Sequence, residues 1–305
     1  MDIYDRSLDI YFRQILETAA FLPPQLAYKI LHSTGHLFRN FDDYSCGYEK
    51  GAFLKAYKNL ENVNITPSSL PYNRIKEVLK EYLRFETRFA MENIWVRREN
   101  SKYIIQSFNR KYINSLLKLV SKQNYVIVSA HFSGIIDMVA LLNVIGHQST
   151  FIASNAMNQP WDLATPMQRS VATLFRSWIK RQPLIFSDEK DIMERSCQTL
   201  LSNKSVIMAA DVPGYKGSKV SMFGKNIWVP AGSAIMASKC NVPILVAIPW
   251  ALKPYEPYKI FIRVVPPSHN YDSVMQKIFD YIETVVRLNP AGWNGWLYFH
   301  RMLST

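Results

Sequence analysis

The sequence contains little cysteine or glycine and no long apolar run. Its 305 residues include only 3 cysteines and 11 glycines, which is too few for a disulfide-rich or a fibrous protein. Cys46, Cys197 and Cys240 cannot all pair with one another and lack metal-ligand spacing, which favours a reducing compartment. No uncharged apolar stretch reaches the roughly 18 residues that a membrane-spanning helix needs. The acidic residues 1–5 are not typical of a signal peptide.

Several well-known catalytic motifs are also missing. The sequence has no Gly-x-Ser-x-Gly elbow, no His-Glu-x-x-His, no Gly-rich phosphate loop and no Cys-x-x-Cys. These absences argue against the hydrolases, zinc peptidases, nucleotide-binding proteins and thiol redox proteins that carry those motifs. No metal site is predicted.

What the sequence does have is a large excess of positive charge. The net charge is +12 and 48% of the residues are hydrophobic, so the chain is predicted to fold and to meet an anionic partner: nucleic acid, an anionic membrane or an acidic protein. Residues 74–122 hold twelve basic and five acidic side chains. Lys76, Lys80, Arg84 and Arg88 recur every four residues, so they share one helix face. That face is either solvated or a docking face for anions. No nucleic-acid-binding motif is present, so nucleic acid is not expected as the partner.

Two patterns divide the chain. Residues 1–123 are predicted to form a helical portion with a break at 64–73, and residues 124–305 an α/β core, together one continuous domain. The predicted strands are 125–130, 149–154, 183–186, 206–210, 220–223, 227–229, 242–249 and 259–265, with a hairpin turn at 224–226. The predicted helices of the core are 135–145, 166–180, 191–201, 231–239 and 273–288. The expected fold is a central mixed sheet flanked by helices.

A further helix is predicted from Leu8 to Leu22, where Pro23 and Pro24 end it. Its apolar residues follow helical spacing. Two interpretations remain open: a terminal helix packed on the domain, or an amphipathic helix lying on a bilayer.

Candidate chemistry lies where two predicted strands end, because active sites of such sheets gather at the carboxyl ends of strands. His131 follows the first strand, and Asp137 lies in the first turn of the next helix. A histidine can take a proton from a hydroxyl near neutral pH, and a carboxylate can hold its tautomer. A purely structural turn is the alternative. Ser133, in the same turn, is predicted to contact substrate and not to be a nucleophile. Asp211 follows a second strand.

Several blocks in order resemble one family. They are Val126 to Phe132, Arg181 to Asp191, Ser205 to Asp211, Val220 to Gly224, Pro230 to Ser233, and Trp293 to Arg301. Together they resemble the lysophospholipid acyltransferase superfamily, and within it the lipid A late acyltransferase branch. That resemblance covers about residues 120–303 and, more weakly, the N-terminal third.

The resemblance implies a reaction and roles. An acyl group would pass from the thioester of an acidic carrier protein to a hydroxyl of lipid A, with His131 as general base and Asp137 orienting it. Arg181 and Asp211 would shape the site or hold the phosphorylated acceptor. No cofactor is needed, because the thioester is already activated. The protein would be peripheral, on the cytoplasmic face of the bacterial inner membrane, and would bind the anionic surface of that membrane.

Departures from the branch leave the donor open. The branch has His-x4-Asp/Glu, whereas here position 136 is Ile and Asp137 comes one residue later. The branch's N-terminal anchor is missing, and the last signature reads His300-Arg301-Met302. A distant relative that transfers glycine to lipid A and gives polymyxin resistance is similar in these ways. Fatty-acyl and glycyl groups are therefore both retained as alternatives for the group that is transferred. The alternatives to an enzyme are a non-catalytic lipid-binding protein and a basic nucleic-acid-binding protein.

Overall fold

The structure is a computed structural model that describes residues 14, 16–34, 58–60, 63, 75–98, 100–153, 183–214 and 217–303. The α-helices of these ranges are α1 (Leu16–Ala19), α2 (Pro24–Thr34), α3 (Ile75–Arg97), α4 (Ser101–Gln106), α5 (Arg110–Val120), α6 (Ile135–Val144), α7 (Ile192–Leu201), α8 (Gly232–Cys240), α9 (Tyr271–Leu288) and α10 (Phe299–Met302). Two 3₁₀ turns, Pro290–Gly292 and Asn294–Leu297, lie between α9 and α10. The strands are β1 (Val126–Ser129), β2 (Ser149–Ala153), β3 (Leu184–Phe186), β4 (Ser205–Ala209), β5 (Ser218–Met222), β6 (Lys225–Val229), β7 (Ile244–Trp250) and β8 (Lys259–Val265).

Six of the strands form one sheet in the order β3–β2–β4–β1–β7–β8. β1 is parallel to β4 and β7, and β2 is parallel to β3 and β4. The edge strand β8 is antiparallel to β7, and β5 and β6 form a separate hairpin. The α/β fold with a central mixed sheet and flanking helices, predicted from the sequence, is therefore confirmed.

The middle of the sheet is built from short apolar runs. Every residue of β1 is buried, and so are Val206 and Ile207 of the neighbouring β4. Strands that are apolar on both faces need cover on both. Helix α6 packs against β2 and β7, and α8 packs against β1 and β7. The polar residues of this region are consequently found where the strands end.

Helix α9 shows how a sequence pattern becomes a packed element. Asn270 caps it by accepting a hydrogen bond from the Ser273 amide at 3.0 Å. Its apolar residues at helical spacing, among them Ile278, Ile282 and Val285, are fully buried. Each such side chain contributes about 1.5–3 kcal/mol, which fixes α9 against β5, β7 and β8.

The hairpin turn lies one residue earlier than predicted. The structure turns at Phe223 and Gly224, whose φ angles are 52° and 71°, and pairs Met222 with Lys225. A two-residue turn of this kind needs positive φ at both positions. Phe223 adopts this positive φ because its ring is buried and stacks on Trp296 at 5.5 Å between centroids. Tertiary packing, not local turn preference, sets this turn.

The basic face predicted on α3 is wrong for its second half. Arg84 is only 10% exposed and pairs with Glu81, and Arg88 is buried with Glu92. These two arginines therefore do not present a solvated or docking face. The reason is that α2 and the loop 254–258 pack over Arg88 on this side of the helix. The side chains of residues 76 and 80 lie outside the described residues.

Some predicted elements cannot be compared with the structure. The helix 166–180, the break 64–73 and residues 8–13 of the first predicted helix lie outside the described residues. In the described part, α1 ends before the prolines and Pro24 begins α2, a position that proline favours. Across the described ranges, none of the helices combines the length and the apolar character needed to cross a bilayer.

Candidate active site

The candidate site forms where β1 and β4 end side by side. The two strands are parallel, and their register pairs Ser129 with Ala209. A further hydrogen bond from the Ala210 amide to the Ser129 carbonyl, at 2.9 Å, extends the pairing. His131 and Asp211 each lie two residues beyond the paired positions. Strand order therefore brings together two side chains that are 80 residues apart in the sequence.

The His131 ring is hydrogen-bonded to Asp211. Its Nδ1 lies 2.9 Å from Oδ1 of the carboxylate. An ionised carboxylate only accepts hydrogen bonds, so Nδ1 carries the proton and Nε2 is left as the acceptor. The backbone N–H of His131 also donates to both carboxylate oxygens, at 2.9 and 3.0 Å. This arrangement fixes the tautomer and the position of the imidazole.

The pair is asymmetric in its exposure to solvent. The side chain of His131 is 32% exposed, whereas that of Asp211 is 0% exposed. Burial opposes the charged imidazole, but attraction to Asp211 and the hydrogen bond with it outweigh this effect and raise the pKa of His131 above 6.5. A base of raised pKa at an accessible position, oriented by a buried acid, is suited to taking a proton from a hydroxyl.

A third donor to Asp211 comes from the C-terminal segment. The indole N–H of Trp293 donates to Oδ2 at 2.6 Å, and Trp293 is fully buried. From the sequence, Trp293 is predicted only as part of a terminal signature, with no role of its own. The signal that could have found it is chemical: a buried indole N–H needs an acceptor, and Asp211 is a buried acceptor.

The same segment holds the turn that carries His131. The Asn294 amide donates to the His131 carbonyl at 2.7 Å, and the Ser133 amide donates to the Gly292 carbonyl at 3.2 Å. The Tyr298 ring meets the imidazole edge-on at 5.8 Å between centroids. The turn therefore both accepts and donates a backbone hydrogen bond with the segment 292–294, which limits movement of the imidazole.

The predicted contact between Asp137 and His131 is wrong. Asp137 is fully buried, and neither of its carboxyl oxygens has an aligned hydrogen-bond partner. Burial, and then the nearby Glu92, raise the pKa of Asp137 well above its ordinary value. The physical reason is the extra residue in the spacing, which rotates the side chain by about 100° around the helix. Asp137 therefore faces α3. Asp211 instead makes the hydrogen bond to His131 that was predicted for Asp137.

Two other predicted site residues are Arg181 and Ser133. Arg181 lies outside the described residues. Ser133 is in the turn but is only 2% exposed, and its hydroxyl oxygen lies 3.3 Å from that of Tyr258. As placed, the Ser133 hydroxyl is buried and contacts the Tyr258 hydroxyl.

The family model for bacterial lipid A biosynthesis acyltransferases matches residues 7–305 of the chain. A comparison with individual curated proteins finds no match.

Proposed function

The chain belongs to the bacterial lipid A biosynthesis acyltransferase family, and we propose that it transfers an acyl or aminoacyl group from a carrier-protein thioester to a lipid A hydroxyl. The observation that carries the mechanism is the hydrogen bond between His131 Nδ1 and Asp211. It supports His131 as the general base, acting through Nε2.

The reaction follows from this pair. Nε2 of His131 takes the proton of the acceptor hydroxyl as its oxygen attacks the thioester carbonyl. Asp211 stabilises the imidazolium that forms and does not itself take the proton. Collapse of the tetrahedral intermediate forms the ester and breaks the carbon–sulfur bond. The imidazolium then returns its proton to the departing carrier thiolate, so the enzyme is regenerated without an acyl-enzyme.

Other roles rest on the family resemblance and on charge. Arg181 is proposed to hold a phosphate of the acceptor, because a guanidinium binds phosphate through two parallel hydrogen bonds. The net charge of +12 suits an acidic carrier protein and the anionic cytoplasmic face of the inner membrane.

Two exposed apolar residues support contact with a bilayer. Phe21 is 71% exposed and Leu26 is 47% exposed, at the junction of α1 and α2. The guanidinium of Arg98 lies 4.0 Å above the Phe21 ring. Apolar side chains beside cations are typical of surfaces that rest on anionic lipid.

The experiment uses the purified full chain, lipid A in vesicles, and a carrier protein charged with either a tetradecanoyl or a glycyl group. Mass spectrometry of the lipid distinguishes the two increments. Wild type is expected to add one of them, and His131→Ala neither. His269→Ala is the matched control, because His269 is exposed and its Nδ1 is hydrogen-bonded to the Ser238 hydroxyl.

Two outcomes would contradict the proposal. Full transfer by His131→Ala would exclude the histidine as the base. Vesicle binding by wild type with no transfer from either donor would favour a non-catalytic lipid-binding protein.

A further inference from the structure

A buried polar network lies beneath the turn that carries His131, and no step of the proposed mechanism uses it. We define it as the Arg88 network, formed by Arg88 and Glu92 of α3, Tyr28 of α2, Tyr258 between β7 and β8, and Ser133 of the turn. All five residues are at most 4% exposed. Charged groups are rarely buried to this extent unless they are paired.

Both carboxylate oxygens of Glu92, at the centre of the network, accept hydrogen bonds. Arg88 Nε donates to Glu92 Oε1 at 2.7 Å. The Tyr28 hydroxyl donates to the same oxygen at 2.6 Å, and the Tyr258 hydroxyl donates to Glu92 Oε2 at 2.7 Å. The guanidinium of Arg88 also lies over the Tyr258 ring, 3.6 Å from its centroid. Glu92 and Arg88 together thus fix both the ring and the hydroxyl of Tyr258.

The loop that carries Tyr258 is held by the same arginine. Nη1 of Arg88 donates to the carbonyl oxygens of Pro254, at 3.2 Å, and Glu256, at 2.6 Å. The Tyr258 amide is held at 2.7 Å by the Ser107 carbonyl. Both the backbone and the side chain of Tyr258 are therefore immobilised relative to α3.

Tyr258 touches the catalytic turn at two points. Its hydroxyl oxygen lies 3.3 Å from Ser133 Oγ. A phenol has one hydrogen, and the nearer carboxylate of Glu92 is the stronger acceptor, so Ser133 is the donor in this second contact. The Tyr258 ring also packs directly under Gly134, where an added Cβ would come within 2.9 Å of it.

We propose that Tyr258 is a positioning residue of the reaction, holding the turn that carries His131 through the Ser133 hydroxyl and the close contact at Gly134. The Arg88–Glu92 pair fixes Tyr258 in turn. The proposal rests on the proposed function, since it assigns the network to the alignment of the general base. Misplacing a catalytic group by about 1 Å can lower the rate about 10²-fold.

The test is a double-mutant cycle on the hydroxyl pair. Tyr258→Phe keeps the ring over Arg88 and removes only the hydroxyl, and Ser133→Ala removes the other partner. Each is expected to lower kcat about tenfold and to leave KM within about twofold. The double variant is expected to lose no more than the worse single variant, because both changes remove one interaction. Arg88 and Glu92 are left intact, since breaking a buried ion pair endangers folding.

Tyr125→Phe is the matched control, because Tyr125 is equally buried at the other end of β1 and its hydroxyl accepts from Gln123. It is expected to keep full kcat. Full kcat in either single variant, or tenfold losses that multiply in the double variant, would overturn the proposal. His131→Ala is measured alongside: if it is inactive while Tyr258→Phe is fully active, only the positioning proposal fails. If His131→Ala keeps activity, or wild type has none, the proposed function itself fails.

Discussion

Asp211 and Asp137 are two fully buried aspartates near the same turn, and their surroundings differ in kind. Asp211 receives hydrogen bonds from the His131 ring, the His131 amide and the Trp293 indole. Asp137 receives no aligned hydrogen bond and lies near Glu92. Burial beside a second acid favours the neutral form of Asp137. Proximity in sequence therefore did not decide which acid serves the histidine; the position of β4 beside β1 did.

The largest effect is expected from Asp211→Asn. The amide would present its own N–H groups to His131 and favour the wrong tautomer, so kcat should fall by about 10³–10⁴-fold. The measurement is the rate of transfer to lipid A at neutral pH, with folding checked by thermal unfolding. Asp137→Asn is the matched control, and a loss of similar size in that variant would remove the distinction between the two acids.

An intermediate effect is expected from Trp293→Phe. The change removes one donor to Asp211 and keeps an aromatic ring in the cluster, so kcat should fall about tenfold, the equivalent of one hydrogen bond to a charged group. Trp296→Phe is the control, because its indole donates to the Pro290 carbonyl and not to Asp211. Equal losses of kcat in the two variants would show that the effect is only packing.

The smallest effect on activity, within about twofold, is expected from Asp137→Asn, because an amide is close in shape to the neutral acid. Its effect should appear in stability. Since the folded pKa of Asp137 is raised above its ordinary value of 3.8, wild type loses stability as the pH rises from there through the raised pKa. The Asn variant cannot lose that proton.

The advantage of Asp137→Asn in free energy of unfolding should therefore grow as the pH rises above about 4. Chemical denaturation at several pH values measures it. A difference between the two proteins that does not change with pH would contradict a raised pKa.

The elements of the core were predictable because their signals are local. Short β-branched runs such as β1 and spaced apolar residues such as those of α9 specify strands and helices without reference to the rest of the chain. His131 and Asp211 were likewise predicted as residues at strand ends. Their partnership was not predicted, because it depends on β4, not β2, lying beside β1.

The burial of Arg88 was missed for a related reason. Helical spacing groups Arg84 with Arg88, but spacing does not say which side of the helix is covered. The i,i+4 partner Glu92 was present in the sequence, and it allows the arginine to be buried as a pair. The packing of α2 and the 254–258 loop over this side of α3 decides that Arg88 is buried.

The pairing of His131 with Asp211 is tested most directly by ¹⁵N NMR of the histidine side chains, with His131 assigned by comparison with His131→Gln. The expected result is a neutral imidazole protonated on Nδ1, with a pKa above 6.5. That pKa should fall in Asp211→Asn and stay unchanged in Asp137→Asn. A neutral ring protonated on Nε2, or a pKa that responds to Asp137→Asn instead, would contradict the pairing.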